Sequence, residues 1–174
     1  MVARRTLLVL GFVGVLAGGG WVYAQQRSAS RPANLSAQDY VDIQMLYARY
    51  NQGSDFSDTA MWMSIWADDA LFKPGNQPMT GTKELAEFRA SRNAAAAKGG
   101  GQRRHQNSSI VLTPTPEGAS GRAYFTLLDT SAKQPVIASA GYYDDTFVKS
   151  NKGWVIKSRI LHFDPPPSAG QRSQ

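Results

Sequence analysis

The order in which periodicities follow one another constrains this chain more than any other feature. Helical spacing comes first, and four β-rich runs separated by short turns come after it. Ser36 reads as an N-cap with Asp39 in the first turn. Tyr40, Ile43, Leu46, Tyr47 and Tyr50 then mark one face of a long amphipathic helix. Asp58 opens a second, shorter helix presenting Met61, Trp62, Ile65 and Trp66. A short strand near Leu71 to Lys73 leads through a loop to a third helix, "KELAEFRASRNAAAAK", capped by Thr82 and ended by Gly99 to Gly101. The runs "RRHQNSSIVLTPT", "SGRAYFTLLD", "VIASAGYYDDTFVK" and "WVIKSRILHF" follow, broken by "PEG", "TSAKQP" and "SNKG". Breaks that short join antiparallel neighbours. Helices followed by a meander define an α+β domain, with helices covering one face of a curved sheet.

The chain ends impose their own reading. "MVARRTLLVLGFVGVLAGGGWVYAQQ" has a basic start at Arg4 and Arg5, an apolar run from Leu7 to Ala17 and a small-residue site at "VYA". That order is the order of a secretory signal, cleaved after Ala24. The run is shorter than the roughly 20 residues that span a bilayer, and Gly18 to Gly20 interrupt it. The chain therefore divides into a leader (1–24), a polar linker (25–35), a folded domain (36–164) and a tail (165–174). The expected location is periplasmic or secreted, with membrane contact only during export. The paired arginines leave both the Sec and the twin-arginine routes open.

Composition removes several classes of function. With no cysteine, neither disulfide scaffolds nor thiolate chemistry apply. Two histidines, His105 and His162, are too few for a multi-histidine metal centre. The formal charge is +6, or +4 once Arg4 and Arg5 leave with the leader, and "RRH" at 103–105 is the one basic cluster of the mature chain. No stripe of charge or recognition module marks a nucleic-acid partner. "KGGGQ" follows a helix and is the wrong context for a phosphate loop, and there is no GxSxG elbow.

The stretch "LYARYNQGSDFSDTAMWMSIWADDALF" resembles the opening of the SnoaL-like branch of the nuclear transport factor two-like superfamily. "GTKELAEF" resembles its third helix, "RH" its next strand, and "AGYYDDTFVKSNKGWVIKSR" its last hairpin. The resemblance implies a cone-like barrel: a strongly curved, mainly antiparallel sheet packed against three N-terminal helices around a deep pocket. Members include ketosteroid isomerase, scytalone dehydratase, polyketide cyclases and a bile acid dehydratase, and also non-catalytic binding or assembly modules. It further implies a homodimer paired through the sheet, here on the face of Trp154 or Val155.

Within that frame three residues can carry acid–base chemistry. Tyr50 and Asp55 flank Gly53 in "YNQGSD"; in an unbroken helix they would stand about 140° apart. The sequence reading has Gly53 release the chain so that Asp55 turns back toward Tyr50. A phenol is a neutral hydrogen-bond donor to a developing enolate oxygen, and an imidazole titrates near neutrality. Asp55 beside His105 would orient the ring and favour its charged form. The Tyr50–Asp55 spacing resembles that of the bile acid dehydratase, and His105 falls where that enzyme carries a pocket histidine. The resemblance adds Asp129 and Asp144 as further polar pocket residues, although Asp144 and Asp145 are adjacent and point to opposite faces, so that at most one of the two lines the cavity. Tyr142 shares a strand face with Asp144, and Trp66 completes the expected substrate contacts.

These residues point to a cofactor-independent lyase or isomerase, without metal, acting on a cyclic or polyketide-like carbonyl compound. The alternative is a small-ligand-binding or assembly module on the same fold. There Tyr50 ends a core stripe, Asp55 forms a turn, His105 is a solvated strand residue, and Trp62 and Trp66 are core.

Overall fold

The computed structural model describes residues 34–99 and 101–165. The leader, the linker up to residue 33 and the tail beyond Pro165 lie outside the described residues. Helix α1 (Ala37–Asp55) starts at a complete capping box. The Ser36 hydroxyl accepts from the Asp39 N–H, and the Asp39 carboxylate accepts from the Ser36 N–H at 2.9 Å. Asp39 also accepts from Lys149 Nζ at 2.9 Å and from Trp154 Nε1 at 2.7 Å, which ties the start of α1 to the last hairpin. Lys149, then Trp154 and Ser36, hold the Asp39 carboxyl well below the usual carboxylate range. The helix buries Ile43, Leu46, Tyr47 and Tyr50 as its periodicity requires, while Tyr40 stays exposed.

Three local expectations are corrected. First, α1 does not break at Gly53 but runs to Asp55, and the left-handed residue that ends it is Ser57, with φ of 56°. Gly53 is required by close approach: a Cβ there would lie 2.9 Å from both Cβ and N of Trp62. Second, α2 (Thr59–Met63) is a single turn capped by Asp58, and Trp66 opens strand β1 (Trp66–Lys73). The Ile156 N–H donates to the Ile65 carbonyl at 2.7 Å, so pairing with the last strand captures backbone that the four-residue spacing assigned to a helix. Third, after β2 (Met79–Thr80), helix α3 (Gly81–Ala97) begins before Thr82. Its entry is held by the Glu84 carboxylate accepting from the Thr80 N–H at 2.7 Å, while the Thr82 hydroxyl donates to the Asp68 carbonyl.

Strands β3 (Arg103–Thr115), β4 (Gly118–Asp129), β5 (Val136–Ser150) and β6 (Gly153–Phe163) form the expected antiparallel meander. The six-stranded sheet has the order β2-β1-β6-β5-β4-β3, with β1 parallel to β6. Register shifts between Ser108 and Val111, between Leu127 and Leu128, and between Thr146 and Phe147 bend successive strands. Bulges of this kind add twist, and here they curl an unclosed sheet around the helices. Together these elements make the α+β cone.

The last shift decides which residues face inward. Lys157 is the extra residue opposite the Thr146–Phe147 step, so the inward set on β6 changes from Trp154 and Ile156 to Arg159 and Leu161. On β5 the buried positions are Tyr143, Asp145 and Phe147. Trp154 and Val155, expected on a dimer face, are both buried within the protomer. Among the described residues no helix is long and apolar enough to cross a membrane.

Candidate active site

A cavity of about 490 Å³ opens between α1, α3 and the concave side of the sheet. Tyr50, Asp55 and His105 all line it. The unbroken helix does not prevent their convergence, because β3 brings His105 to Asp55. The imidazole Nδ1 lies 2.5 Å from Asp55 Oδ1, and the His105 backbone N–H donates to Asp55 Oδ2 at 2.9 Å. Both carboxylate oxygens are thus spent on one residue. A carboxylate only accepts, so Nδ1 carries a proton, and in the neutral ring Nε2 is then the nitrogen with the free lone pair.

Tyr50 stands at right angles to this pair, its ring centroid 6.0 Å from that of His105 with 84° between the planes. Trp62, Trp66, Phe72 and Tyr143 pack around the phenol ring, which leaves it 5% exposed. Burial pushes the Tyr50 phenol up, with Arg159 and Arg89 pulling partly back. It therefore enters neutral chemistry as a protonated donor.

Beneath Tyr50 lies a buried ion pair between the last two strands. Arg159, 0% exposed, donates from Nε and Nη2 to the two oxygens of Asp145, each at 2.8 Å. Its guanidinium carbon sits 4.2 Å from the ring centroid of Tyr143, 4.4 Å from that of Tyr50 and 4.8 Å from that of Tyr47. Burial opposes this charge, and Asp145 with the surrounding tyrosines overcomes it, so the guanidinium lies above its ordinary range. The ion pair joins β5 to β6 directly, since Asp145 and Arg159 are register partners.

The other expected contacts lie elsewhere. Trp66 packs behind Tyr50 in the core, and it is Trp62 that lines the cavity. Asp129 stands at the end of β4, where it accepts from the Ser131 N–H at 2.9 Å and does not reach the cavity. Tyr142 and Asp144 occupy the convex face: Asp144 pairs with Arg122 at 2.7 Å and with His162 at 3.1 Å, and Tyr142 stacks on His162. Of the adjacent aspartates it is Asp145 that points inward, and it is consumed by Arg159. Three arginines that the sequence reading left unassigned line the cavity instead: Arg89, Arg92 and Arg103. A signal for the first was available, because Arg89 falls on the buried stripe of α3 four residues after Leu85. Among the described residues no three histidine, aspartate or glutamate side chains converge as a metal site.

A curled sheet with helices over its concave side and a polar cluster at the cavity defines the nuclear transport factor two-like cone. The chain matches the SnoaL-like domain over residues 36–160, and it belongs to that family. The family includes polyketide cyclases and isomerases, so its scaffold serves small-molecule processing. A Mycobacterium tuberculosis protein of unknown function superposes with a TM-score of 0.68 at 22% identity, covering 79% of this chain and 84% of that one. Aln2 from a Streptomyces species gives a TM-score of 0.65 at 24% identity, covering 74% and 93%. A Catenulispora acidiphila protein in complex with S-DNPA gives 0.63 at 19%, covering 74% and 95%. No curated protein matches the chain in sequence.

Proposed function

We propose that the protein is an exported, cofactor-independent acid–base catalyst, a lyase or isomerase acting on a cyclic or polyketide-like carbonyl compound. The observation that carries this reading is the doubly anchored Asp55–His105 pair on a half-open cavity beside a buried phenol. His105 Nε2 removes the proton next to the carbonyl. Asp55 holds the ring in the tautomer that makes Nε2 basic and stabilises the imidazolium that forms. Tyr50 donates to the enolate oxygen, and His105 then returns the proton, either to a new carbon or to a leaving hydroxyl. A cavity of about 490 Å³ lined by Trp62, Phe88 and Phe125 fits a planar, ring-bearing body. Binding of S-DNPA by the Catenulispora relative supports a small-molecule occupant.

Exchange of the acidic C–H for deuterium reports the proton abstraction whatever the later chemistry. Incubated in D₂O with a panel of cyclic 1,3-dicarbonyl compounds and hydroxynaphthoquinones, the wild type should accelerate exchange above buffer, and His105→Ala should return it to background. Compounds that bind without exchange in any case would favour the ligand-binding reading.

Export and pairing belong to the same proposal. The leader is cut after Ala24, and the mature chain forms a homodimer across the convex sheet face. That face exposes Val111 and Tyr124, whereas Trp154 and Val155 lie inside. Native mass spectrometry of protein recovered from the periplasm reads both features at once. A chain beginning at Gln25 and twice its mass are expected; a full-length chain in the membrane fraction, or monomer alone at micromolar concentration, would count against them.

A further inference from the structure

The charge lining the cavity is unbalanced. Among the described residues its one carboxylate, Asp55, is already engaged by two donors of His105, while Arg89, Arg92 and Arg103 stand around the same space. Arg92 and Arg103 are exposed, and water screens them. Arg89 is different: it is 6% exposed, its buried Nε has no hydrogen-bond partner among the described residues, and its guanidinium sits 5.8 Å from the Trp62 ring centroid. Burial pushes its charge down and like-charged Arg92 adds to that, while Tyr50 and Asp55 offset only part of it. A mostly buried guanidinium with an unbonded Nε and no carboxylate in ion-pair contact weakens a fold, and an anionic ligand in the cavity would offset that cost.

Building on the reading of this cavity as a carbonyl-compound site, we infer that its substrate carries a carboxylate, held by Arg89. The planar body then lies against Trp62, Phe88 and Phe125, with its reacting carbon toward His105. A monoanion is favoured over a phosphate because one desolvated guanidinium balances one charge. The fork of Arg89 suits the two oxygens of a carboxylate. Arg92 and Arg103 raise the local potential at the entrance and speed capture of an anion. Arg89 is thus a specificity residue, separate from the three groups that handle the proton.

The probes are 1-naphthaleneacetate, its neutral amide and 1-naphthyl phosphate, titrated by calorimetry at low salt. The acetate should bind about tenfold or more tighter than the amide, and no weaker than the phosphate. In Arg89→Met the acid and amide affinities should converge to within about twofold, with the amide unchanged. Arg89→Lys should restore part of the preference. Relief of an unpaired buried charge should leave the melting temperature of Arg89→Met equal or higher, whereas a structural arginine would lower it.

Equal affinity for acid and amide in the wild type, absence of binding by either, tighter binding of the phosphate, or a preference that survives Arg89→Met would each overturn the inference. Its failure is separable from failure of the catalytic reading. A wild type that shows no acid-over-amide preference but still exchanges deuterium in a His105-dependent way sinks the carboxylate assignment alone, and a wild type that prefers the acid but exchanges nothing sinks the catalytic reading alone.

Discussion

Asp145→Asn is expected to lower the unfolding free energy by about 3–5 kcal/mol, the range for breaking one side of a buried ion pair. The side chains of both partners are fully buried, so no solvent screening discounts the effect. The amide preserves shape but leaves the Arg159 charge facing three tyrosine rings with no anion. Arg159→Met should cost a similar amount by leaving Asp145 charged and unpaired. The double replacement should cost less than the two single effects added, because the remaining charge is no longer stranded. Urea unfolding of the four proteins measures this coupling, and strict additivity would show that the pair contributes no joint term.

Arg159→Met also reaches the site. Arg159 lies 4.4 Å from the Tyr50 ring centroid and draws its phenol back from the rise that burial imposes. Without that cation Tyr50 becomes a poorer donor to an enolate. A variant that survives unfolding should therefore still lose activity.

The contrast between Arg159 and His105 shows what sequence can and cannot carry. His105 was legible because imidazole is scarce in this chain and "RRH" opens a strand at a defined place in the family pattern. Asp55 was legible as its partner, although the reason given was wrong: the helix does not bend at Gly53, and a strand brings the histidine to the carboxylate instead. Alternation along β5 says that Asp144 and Asp145 face opposite sides but not which of them faces the cavity, and only the packed sheet shows that Tyr143 and Asp145 occupy the interior while Tyr142 and Asp144 lie outside. On β6 the extra residue Lys157 moves the inward set to Arg159, a shift that alternation along the strand does not contain. Trp66 was assigned to a helix for a similar reason. Its four-residue spacing from Trp62 is genuine, but pairing with β6 outweighs a short helix's propensity. The cone itself was readable because it rests on the order of elements and on capped, strongly periodic segments, which a local register error does not disturb.

Asp55→Asn should reduce turnover by about 10²- to 10⁴-fold, as much as His105→Ala, while costing little stability. Asp55 accepts both the His105 backbone N–H and the Nδ1 proton. An asparagine has one acceptor oxygen, and the backbone N–H has no other partner to take it. The amide NH₂ is left facing Nδ1, which must then accept, so the ring proton moves to Nε2. The base becomes a donor while the geometry hardly changes. Asp55→Ala acts in the opposite sense. It strands the backbone N–H and Nδ1, costing about 1–3 kcal/mol of stability, yet the ring is free to place its proton on either nitrogen. The asparagine variant should therefore be the more stable and the less active of the two. A purely structural Asp55 predicts that activity follows stability, with the alanine variant worse on both counts. Melting temperatures and single-turnover deuterium exchange on both variants decide the matter. If the two rankings run in the same order, Asp55 is only the tie between α1 and β3.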